Sequence, residues 1–132
     1  MRTHAIDHVN ILTDDLDATA GFYTAVLGLA RGETPGNARG MQGAWMCDGD
    51  GRAIVHVVLR DPASAYGAEH EIGIPTGAIH HVAFRCDGFA EARERVAGLG
   101  LEHRVNDGIL GLRQIILKDP NAITVELNFP EG

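Results

Sequence analysis

The stretch Ile6-Asp7-His8-Val9-Asn10-Ile11 recurs in the second half of the chain as Ile79-His80-His81-Val82-Ala83-Phe84. Both copies place a histidine in a β-branched, apolar segment, which is typical of a strand. The first copy is followed by Val55-His56-Val57 and the second by Val125-Glu126-Leu127, so that a polar residue again lies between apolar ones. Because internal repeats mark repeated structural units, the pattern predicts two similar modules with polar residues at matching positions.

Each module is predicted to contain four strands, with a helix after the first. Alternating or continuous apolar residues between turn-forming residues identify the strands. They are predicted at 6–12, 30–33, 43–47 and 53–60 in the first module and at 78–86, 102–106, 113–118 and 123–129 in the second. The order of elements is therefore β-α-β-β-β in both modules.

The helices have recognisable ends. In the first module a run of aspartates that includes Asp15 supplies the N-terminal cap and first-turn charges, and Gly28 stops the helix. In the second module Asp87 is the candidate N-cap, Leu99 is predicted to face inward, and Gly100 follows the helix.

The last hairpin of each module is predicted at an aspartate-containing turn, at 48–51 and at 119–122. Glycine would normally continue the Asp-Pro-Asn turn of the second module, but Ala122 stands there. Since alanine disfavours the left-handed conformation, this position predicts either a different backbone geometry or modest strain.

With 132 residues, the chain is expected to form one α+β domain with a sizeable core. Module one is predicted to span about 1–60 and module two about 78–132. The segment between them, about 61–77, is rich in proline, glycine, alanine and serine and is expected to connect the modules.

Composition excludes several classes of function. A net charge of −7, with ten dispersed arginines and one lysine, disfavours nucleic-acid binding. Cys47 and Cys86 lie in different halves, and their spacing indicates neither a disulfide framework nor a thiolate zinc site. No apolar run approaches the ~20 residues that cross a bilayer, and the first residues do not resemble a signal segment. We therefore expect no membrane partner and a cytoplasmic location.

The ordered motifs resemble the vicinal oxygen chelate superfamily, which includes glyoxalase I, fosfomycin-resistance enzymes, extradiol dioxygenases and bleomycin-resistance proteins. The resemblance covers essentially the whole chain. The motifs are Ile-Asp-His-Val near the start, Phe22-Tyr23 followed by Val26-Leu27-Gly28-Leu29, Ile-His-His-Val-Ala-Phe at the restart, and Lys-Asp-Pro-Asn before Val-Glu-Leu.

The resemblance implies a fold and a metal site. Two βαβββ modules would form a curved, partly closed eight-stranded mixed β-sheet cup with the helices outside. The first and last strands of each module would supply metal ligands, which nominates His8, His56, His81 and Glu126. Neutral imidazoles with one carboxylate suit one divalent transition ion such as Fe, Mn, Co, Ni or Zn. Considered one at a time, strand histidines are more often hydrogen-bonded structural residues, and only the combination favours a site.

His56 decides what such a metal could do. If all four residues bind a six-coordinate ion, two positions remain for a substrate with two adjacent oxygens. If His56 does not bind, three positions are open, as in two-histidine, one-carboxylate oxygenases. His80 is expected to point to the opposite strand face from His81 and so to be a second-layer or surface residue.

Differences from known members of the superfamily argue against two of its activities. His56 occupies a position where glyoxalase I has a glutamate, which argues against ordinary glyoxalase I activity. Ile116 stands where extradiol dioxygenases carry a catalytic tyrosine, which disfavours catechol cleavage by that machinery. Trp45 and Arg85 are candidate substrate-binding residues, although a core position for Trp45 and a surface salt bridge for Arg85 are the ordinary alternatives.

Three functions follow, in order of preference. The first is a metalloenzyme of lyase or isomerase type, in which a small chelated substrate passes through an enolate-like intermediate and Glu126 or His56 transfers a proton. The second is an iron- or manganese-dependent dioxygenase that uses O2. The third is a non-catalytic small-molecule binder of the bleomycin-resistance type. The resemblance also implies a homodimer.

Overall fold

The computed structural model describes residues 1–33, 42–63, 70–109 and 111–131. Within it the chain divides into two compact units, Met1–Ile72 and Gly73–Gly132. Each unit contains one of the predicted modules. The predicted connection at 61–77 falls on this division. Its residues 64–69 lie outside the described part, and 70–77 form neither helix nor strand.

The first unit is a four-stranded mixed sheet with one helix. Its elements are β1 (Val9–Thr13), α1 (Leu16–Leu27), β2 (Ala30–Glu33), β3 (Gly43–Cys47) and β4 (Ala53–Leu59). The strand order is β1-β4-β3-β2, with β1 parallel to β4 and the other neighbours antiparallel.

The second unit repeats this topology. Its elements are β5 (Val82–Arg85), α2 (Phe89–Gly98), β6 (His103–Ile109), β7 (Leu112–Lys118) and β8 (Thr124–Pro130). The strand order is β5-β8-β7-β6, and β5 runs parallel to β8. The prediction of an α+β protein built from two βαβββ modules is therefore confirmed. No helix in the described ranges is long and apolar enough to cross a membrane.

Local chemistry explains the ends of α1. The Asp15 side chain accepts a hydrogen bond from the Ala18 backbone N–H at 3.0 Å, which satisfies a free donor of the first turn. Gly28 has a φ of 70° and ends the helix in the left-handed conformation. Between them Ala20 and Tyr23 are buried against the sheet, so both predicted ends of this helix are confirmed.

Period-two alternation separates the two faces of each sheet. On β4, Val55 and Val57 are fully buried on one face, and on β8 Val125 and Leu127 are buried in the same way. The residues between them point to the other face. Since α1 and α2 belong to the apolar faces, His56 and Glu126 lie on the faces opposite the helices.

Several boundary predictions were wrong, among them the end of β6, which runs to Ile109 and not to the predicted 106. The first strand begins at Val9, and Ile6 is 90% exposed. The first strand of the second unit begins at Val82 and ends at Arg85, so it is shorter than the predicted 78–86. In both cases apolar residues before the strand lack a neighbouring strand to pair with, so their β-propensity is not realised.

The N-cap of α2 also differs from the prediction. Gly88, not Asp87, is the cap, with a φ of 76° and no side-chain capping bond. A Cβ at Gly88 would lie 3.1 Å from a carboxylate oxygen of Glu91, and the left-handed backbone itself favours glycine. Leu99, predicted to face inward, is 49% exposed because the helix ends before it, at Gly98.

Ala122 resolves the alternative left open by the sequence. Its φ is 65°, so the turn is left-handed and alanine is strained there. Gly51 has a φ of 79° in the matching turn of the first unit, where glycine adopts this conformation without strain.

We predict that Ala122→Gly raises the free energy of unfolding by about 1 kcal/mol, because it removes the left-handed penalty at a position that requires a positive φ. Gly51→Ala should lower it by a similar amount. Urea unfolding of the two variants and the wild type checks both signs. A neutral or destabilising Ala122→Gly would contradict the strain argument.

Candidate metal site

Three side chains of the first unit form a row across the sheet on the face opposite the helix. Asn10 on β1 is the Cα partner of His56 on β4, and His56 is the Cα partner of Trp45 on β3. Side chains of such partners lie side by side, which explains why these three residues meet. His8 precedes Asn10 by two residues and falls at the same end of the sheet.

Ring contacts fix this cluster. Trp45 stacks on His56 with 4.1 Å between ring centroids and 10° between ring planes. His8 contacts Trp45 edge-on at 4.8 Å, and the His8 and His56 centroids are 6.3 Å apart. The Nδ1 atom of His8 lies 2.6 Å from a carboxylate oxygen of Asp7. When Nδ1–H of His8 donates a hydrogen bond to that carboxylate, the lone pair of the neutral ring is on Nε2. This is the usual arrangement in a metal-binding histidine.

His56 is the most constrained of these residues. It is only 6% exposed, and its Nδ1 lies 3.0 Å from the amide nitrogen of Asn10. Its Nε2 is buried without a hydrogen-bond partner. Burial, and secondarily the charge of neighbouring His8, lowers the pKa of His56. The ring is therefore neutral near pH 7 and carries a polar atom that nothing in the described chain satisfies.

The Asn10 amide determines which nitrogen of His56 carries the proton. When the amide nitrogen donates to Nδ1, the proton of the neutral ring is on Nε2, which then cannot bind a metal. If the amide turned by 180°, its oxygen would accept from Nδ1–H, and the Nε2 lone pair would become available. Both arrangements use the same contact between Asn10 and His56.

The second unit brings His81 and Glu126 together. Glu126 on β8 is the Cα partner of Ala83 on β5 and of Ile116 on β7. Its Oε2 lies 3.8 Å from Nε2 of His81, and the two side chains are 15% and 39% exposed, respectively. A carboxylate and an imidazole at this distance can both turn toward one cation.

His80 contacts His81 directly. Their Nδ1 atoms are 3.0 Å apart, and the rings meet edge-on with centroids 5.2 Å apart. The strand rule that would send them to opposite faces does not apply, because both residues precede the first residue of β5. The prediction that His80 points away from His81 is therefore wrong. By engaging Nδ1 of His81, His80 leaves Nε2 as the atom that faces Glu126.

Gln114 is a site residue that the sequence reasoning missed. Its amide nitrogen donates to Oε1 of Glu126 at 2.8 Å and to Oδ1 of Asn128 at 2.9 Å, and its oxygen accepts from Asn106 at 3.1 Å. The signal was available: an amide in the strand 113–118, out of phase with buried Ile115, must lie on the same face as Glu126.

The two pairs occupy equivalent positions. His8 stands two residues before Asn10, the strand partner of His56, and His81 stands two residues before Ala83, the strand partner of Glu126. Within neither unit do the described residues gather three or more His, Cys, Asp or Glu side chains into a metal site. Each unit instead holds one pair, and a common site for all four residues stays a prediction.

These donors fit a divalent transition metal. The Nε2 atoms of His8 and His81 and the Oε2 of Glu126 are imidazole and carboxylate donors, and the buried, unpartnered Nε2 of His56 joins them in the tautomer that leaves its lone pair free. Nitrogen and oxygen donors of this kind bind first-row divalent ions.

Arg85 ends β5 and lies on the same strand face as Ala83, the strand partner of Glu126. It is the Cα partner of Asn128, and it is exposed. It forms no ion pair with the described residues, so the surface salt bridge considered from the sequence is not found there.

The cysteines contribute no ligand. Both are free. Burial, and secondarily the charge of Asp87, raises the pKa of Cys86 to about 11, so this thiol is protonated near pH 7 and is a poor nucleophile.

We predict that His56 makes stability depend on pH. Its folded pKa lies below the unfolded value of about 6.5, so the unfolded state takes up a proton first as the pH falls through that value. The stabilisation is complete above about pH 6.5 and decreases below it. Urea unfolding of the metal-free protein at pH ~7.5 and ~5.5 should show a larger loss for the wild type than for His56→Gln. Equal losses of unfolding free energy in the two proteins would contradict this prediction.

Comparison with known proteins shows the family of this chain. The family model of the Glyoxalase/Bleomycin resistance protein/Dioxygenase superfamily matches residues 5–127. The chain therefore belongs to this superfamily, and the resemblance inferred from the sequence is confirmed.

Individual relatives are distant. Glyoxylase I 4 of Arabidopsis thaliana is 22% identical over 126 residues, covering 93% of this chain and 69% of the relative. The structure of lactoylglutathione lyase from Agrobacterium tumefaciens is similar with a TM-score of 0.64 and 24% identity, covering 99% of this chain and 97% of that one. A mutant fosfomycin resistance protein from Listeria monocytogenes, complexed with Mn(II) and a dihydroxypropylphosphonic acid, has a TM-score of 0.72 and 17% identity, covering 98% of this chain and 94% of that one. At these identities the structural likeness shows the fold alone.

Proposed function

We propose that this protein is a metal-dependent enzyme that binds a small substrate with two adjacent oxygens as a chelate on one divalent ion, and that its chemistry is of lyase or isomerase type. The observation that carries the proposal is the equivalent placement of two donor pairs, His8 with His56 and His81 with Glu126, at the same register positions of two repeated sheets. The repeated fold would form without polar residues at those positions. An ion bound by both pairs would require them.

The four residues would hold an ion such as Fe, Mn, Co, Ni or Zn. When bound, the ion would act as a Lewis acid toward the substrate oxygens. The remaining requirement is a group that moves a proton. His56, which is neutral near pH 7, could accept a proton at Nε2 only when that atom is not bound to the ion, and Glu126 could accept one at Oε2 only when that oxygen leaves the ion.

Relatives support this class of chemistry without fixing it. The names of the similar proteins include a glyoxylase and a lactoylglutathione lyase, and a similar fosfomycin resistance protein is complexed with Mn(II). These statements belong to those proteins. For this chain they are consistent with metal dependence and lyase chemistry, and they do not rank that chemistry ahead of the other activities of the superfamily.

One observation favours a second candidate. Because the Asn10 amide nitrogen faces Nδ1 of His56, the proton of the neutral ring is on Nε2, and His56 in that tautomer does not bind metal. Two histidines and one carboxylate would then leave three open positions, which suits an iron- or manganese-dependent dioxygenase. This alternative depends on Asn10 keeping the same amide orientation when the ion is bound.

The function is tested by purifying the protein, measuring its bound metal and following oxygen consumption with small 2-oxo and 2-hydroxy acids. A stoichiometric metal with no oxygen uptake supports lyase or isomerase chemistry. Oxygen uptake that depends on iron or manganese supports the dioxygenase. Failure to bind any of the five divalent ions overturns both and leaves a non-catalytic small-molecule binder.

We predict that Glu126→Gln and His81→Ala each weaken metal binding by at least about 100-fold, since loss of a direct ligand should exceed the 10–100-fold effect of losing a supporting residue. Trp45 is the single tryptophan and stacks on His56, so its fluorescence should report binding directly. Glu102→Gln and His70→Ala, both at exposed positions, are matched controls that should bind as the wild type does. Wild-type affinity in both ligand variants would reject the site.

We further propose that Arg85 binds an anionic group of the substrate and that Trp45 forms a wall beside the metal. Arg85→Gln should weaken oxalate binding to the Mn-loaded protein by about tenfold, the value of one charge-assisted contact, while its Mn affinity stays unchanged. Arg93→Gln, an exposed arginine on α2, is the control. If oxalate binds equally well to all three proteins, Arg85 has no such role.

A homodimer and a cytoplasmic location stay predictions. In each four-stranded sheet the first strand, β1 or β5, is at the edge, with exposed Ile6 or Ile79 just before it. Such edges and apolar residues suit association. Light scattering of the purified protein would show the mass of a dimer, and a monomeric mass at micromolar concentration would contradict the prediction. Cell fractionation would test the location.

A further inference from the structure

Gln114 is the centre of a hydrogen-bonded amide ladder across β6, β7 and β8. One N–H of its amide binds Glu126 and the other binds Asn128, while its oxygen accepts from Asn106. Both donors are used and the acceptor is occupied, so the amide has one orientation that satisfies all three contacts. The ladder therefore holds the Gln114 side chain firmly on the face that carries Glu126.

This contact makes the two oxygens of Glu126 different. Oε1 is 2.8 Å from the Gln114 amide nitrogen, whereas Oε2 is 3.8 Å from Nε2 of His81. A carboxylate without such a restraint can bind a cation through either oxygen or through both. With Oε1 engaged, only Oε2 faces the neighbouring imidazole.

The corresponding position of the first unit has no such group. Gly43 pairs with Val58 there, two residues beyond His56, as Gln114 pairs with Asn128, two residues beyond Glu126. In the first unit, where the candidate ligand is the imidazole of His56, these two positions are therefore apolar. In the second unit, where the candidate ligand is the carboxylate of Glu126, both positions carry amides. An imidazole offers one ring nitrogen to a metal and needs no such restraint.

We propose that Gln114 is a positioning residue that keeps Glu126 a one-oxygen metal ligand. The inference rests on the proposed metal site. Three histidines and one carboxylate oxygen fill four of six positions and leave two for the adjacent oxygens of a substrate. A carboxylate that binds through both oxygens would fill a fifth position and prevent chelation. Gln114 thereby keeps open the coordination position that chelation of the substrate requires.

The test is the number of water molecules on Mn(II) bound to the wild type and to Gln114→Leu, measured by water-proton relaxation. Without the restraint both oxygens of Glu126 can bind, so the variant should carry about one water fewer than the wild type. Asn128→Leu removes the other hydrogen bond of the same amide and should keep the wild-type number. An unchanged number in Gln114→Leu overturns the proposal, because a merely structural role would not alter the count.

A second variant and a metal-free measurement separate this inference from the metal site. Gln114→Met keeps the length of the side chain but has no hydrogen-bond donor, so it should behave as Gln114→Leu does. In the metal-free protein, the carboxyl carbon resonance of Glu126 should shift in Gln114→Leu and stay in place in Asn128→Leu. If the wild type binds no Mn(II), the proposed function fails, and the resonance comparison alone decides whether Gln114 restrains Glu126.

Discussion

The structure depends on one constraint: in each unit the last strand is paired in parallel with the first while one of its faces is fully buried. Val55 and Val57 on β4, and Val125 and Leu127 on β8, are removed from water almost completely. A slip of one residue in either strand would turn these side chains to the opposite face. It would also move His56 away from Trp45 and Asn10, or place the Glu126 carboxylate in the apolar core, which is costly. The apolar face therefore fixes where His56 and Glu126 point.

Parallel pairing then brings a second donor to each of these residues. A first strand that runs alongside the last one presents its own start at the same end of the sheet, which is where His8 and His81 lie. Two copies of this arrangement give two donor pairs by one geometric rule. Differences between the copies concern how each pair is restrained: aromatic stacking and an asparagine surround His56, whereas an amide ladder holds Glu126.

The two restraints have different chemical consequences. Asn10 and Gln114 are both amides, but Asn10 faces a ring whose proton can occupy either nitrogen, so the orientation of this amide decides whether His56 is a ligand or a spectator. Gln114 faces a carboxylate, which has no tautomer to choose, and it decides only which oxygen stays free. In the proposed metal site, the reaction class would therefore depend on the hydrogen bonds around the ligands as well as on the ligands themselves.

The sequence by itself determined the repeated βαβββ modules, both ends of α1 and most strand positions, because alternation, capping residues and the repeat are local patterns. The four candidate ligands were nominated by the family resemblance and stay a prediction. Tertiary structure decided what those patterns do not contain. Residues 6–8 and 78–81 have strand-like composition, but no neighbouring strand pairs with them, so the first strands begin later. Gly88 replaced Asp87 as a cap because the backbone there is left-handed, and Ala122 accepted the same conformation at a cost in strain. The contacts of Gln114 with Glu126 and of Asn10 with His56 join residues from different strands, and only the register of the folded sheets brings such residues within hydrogen-bonding distance.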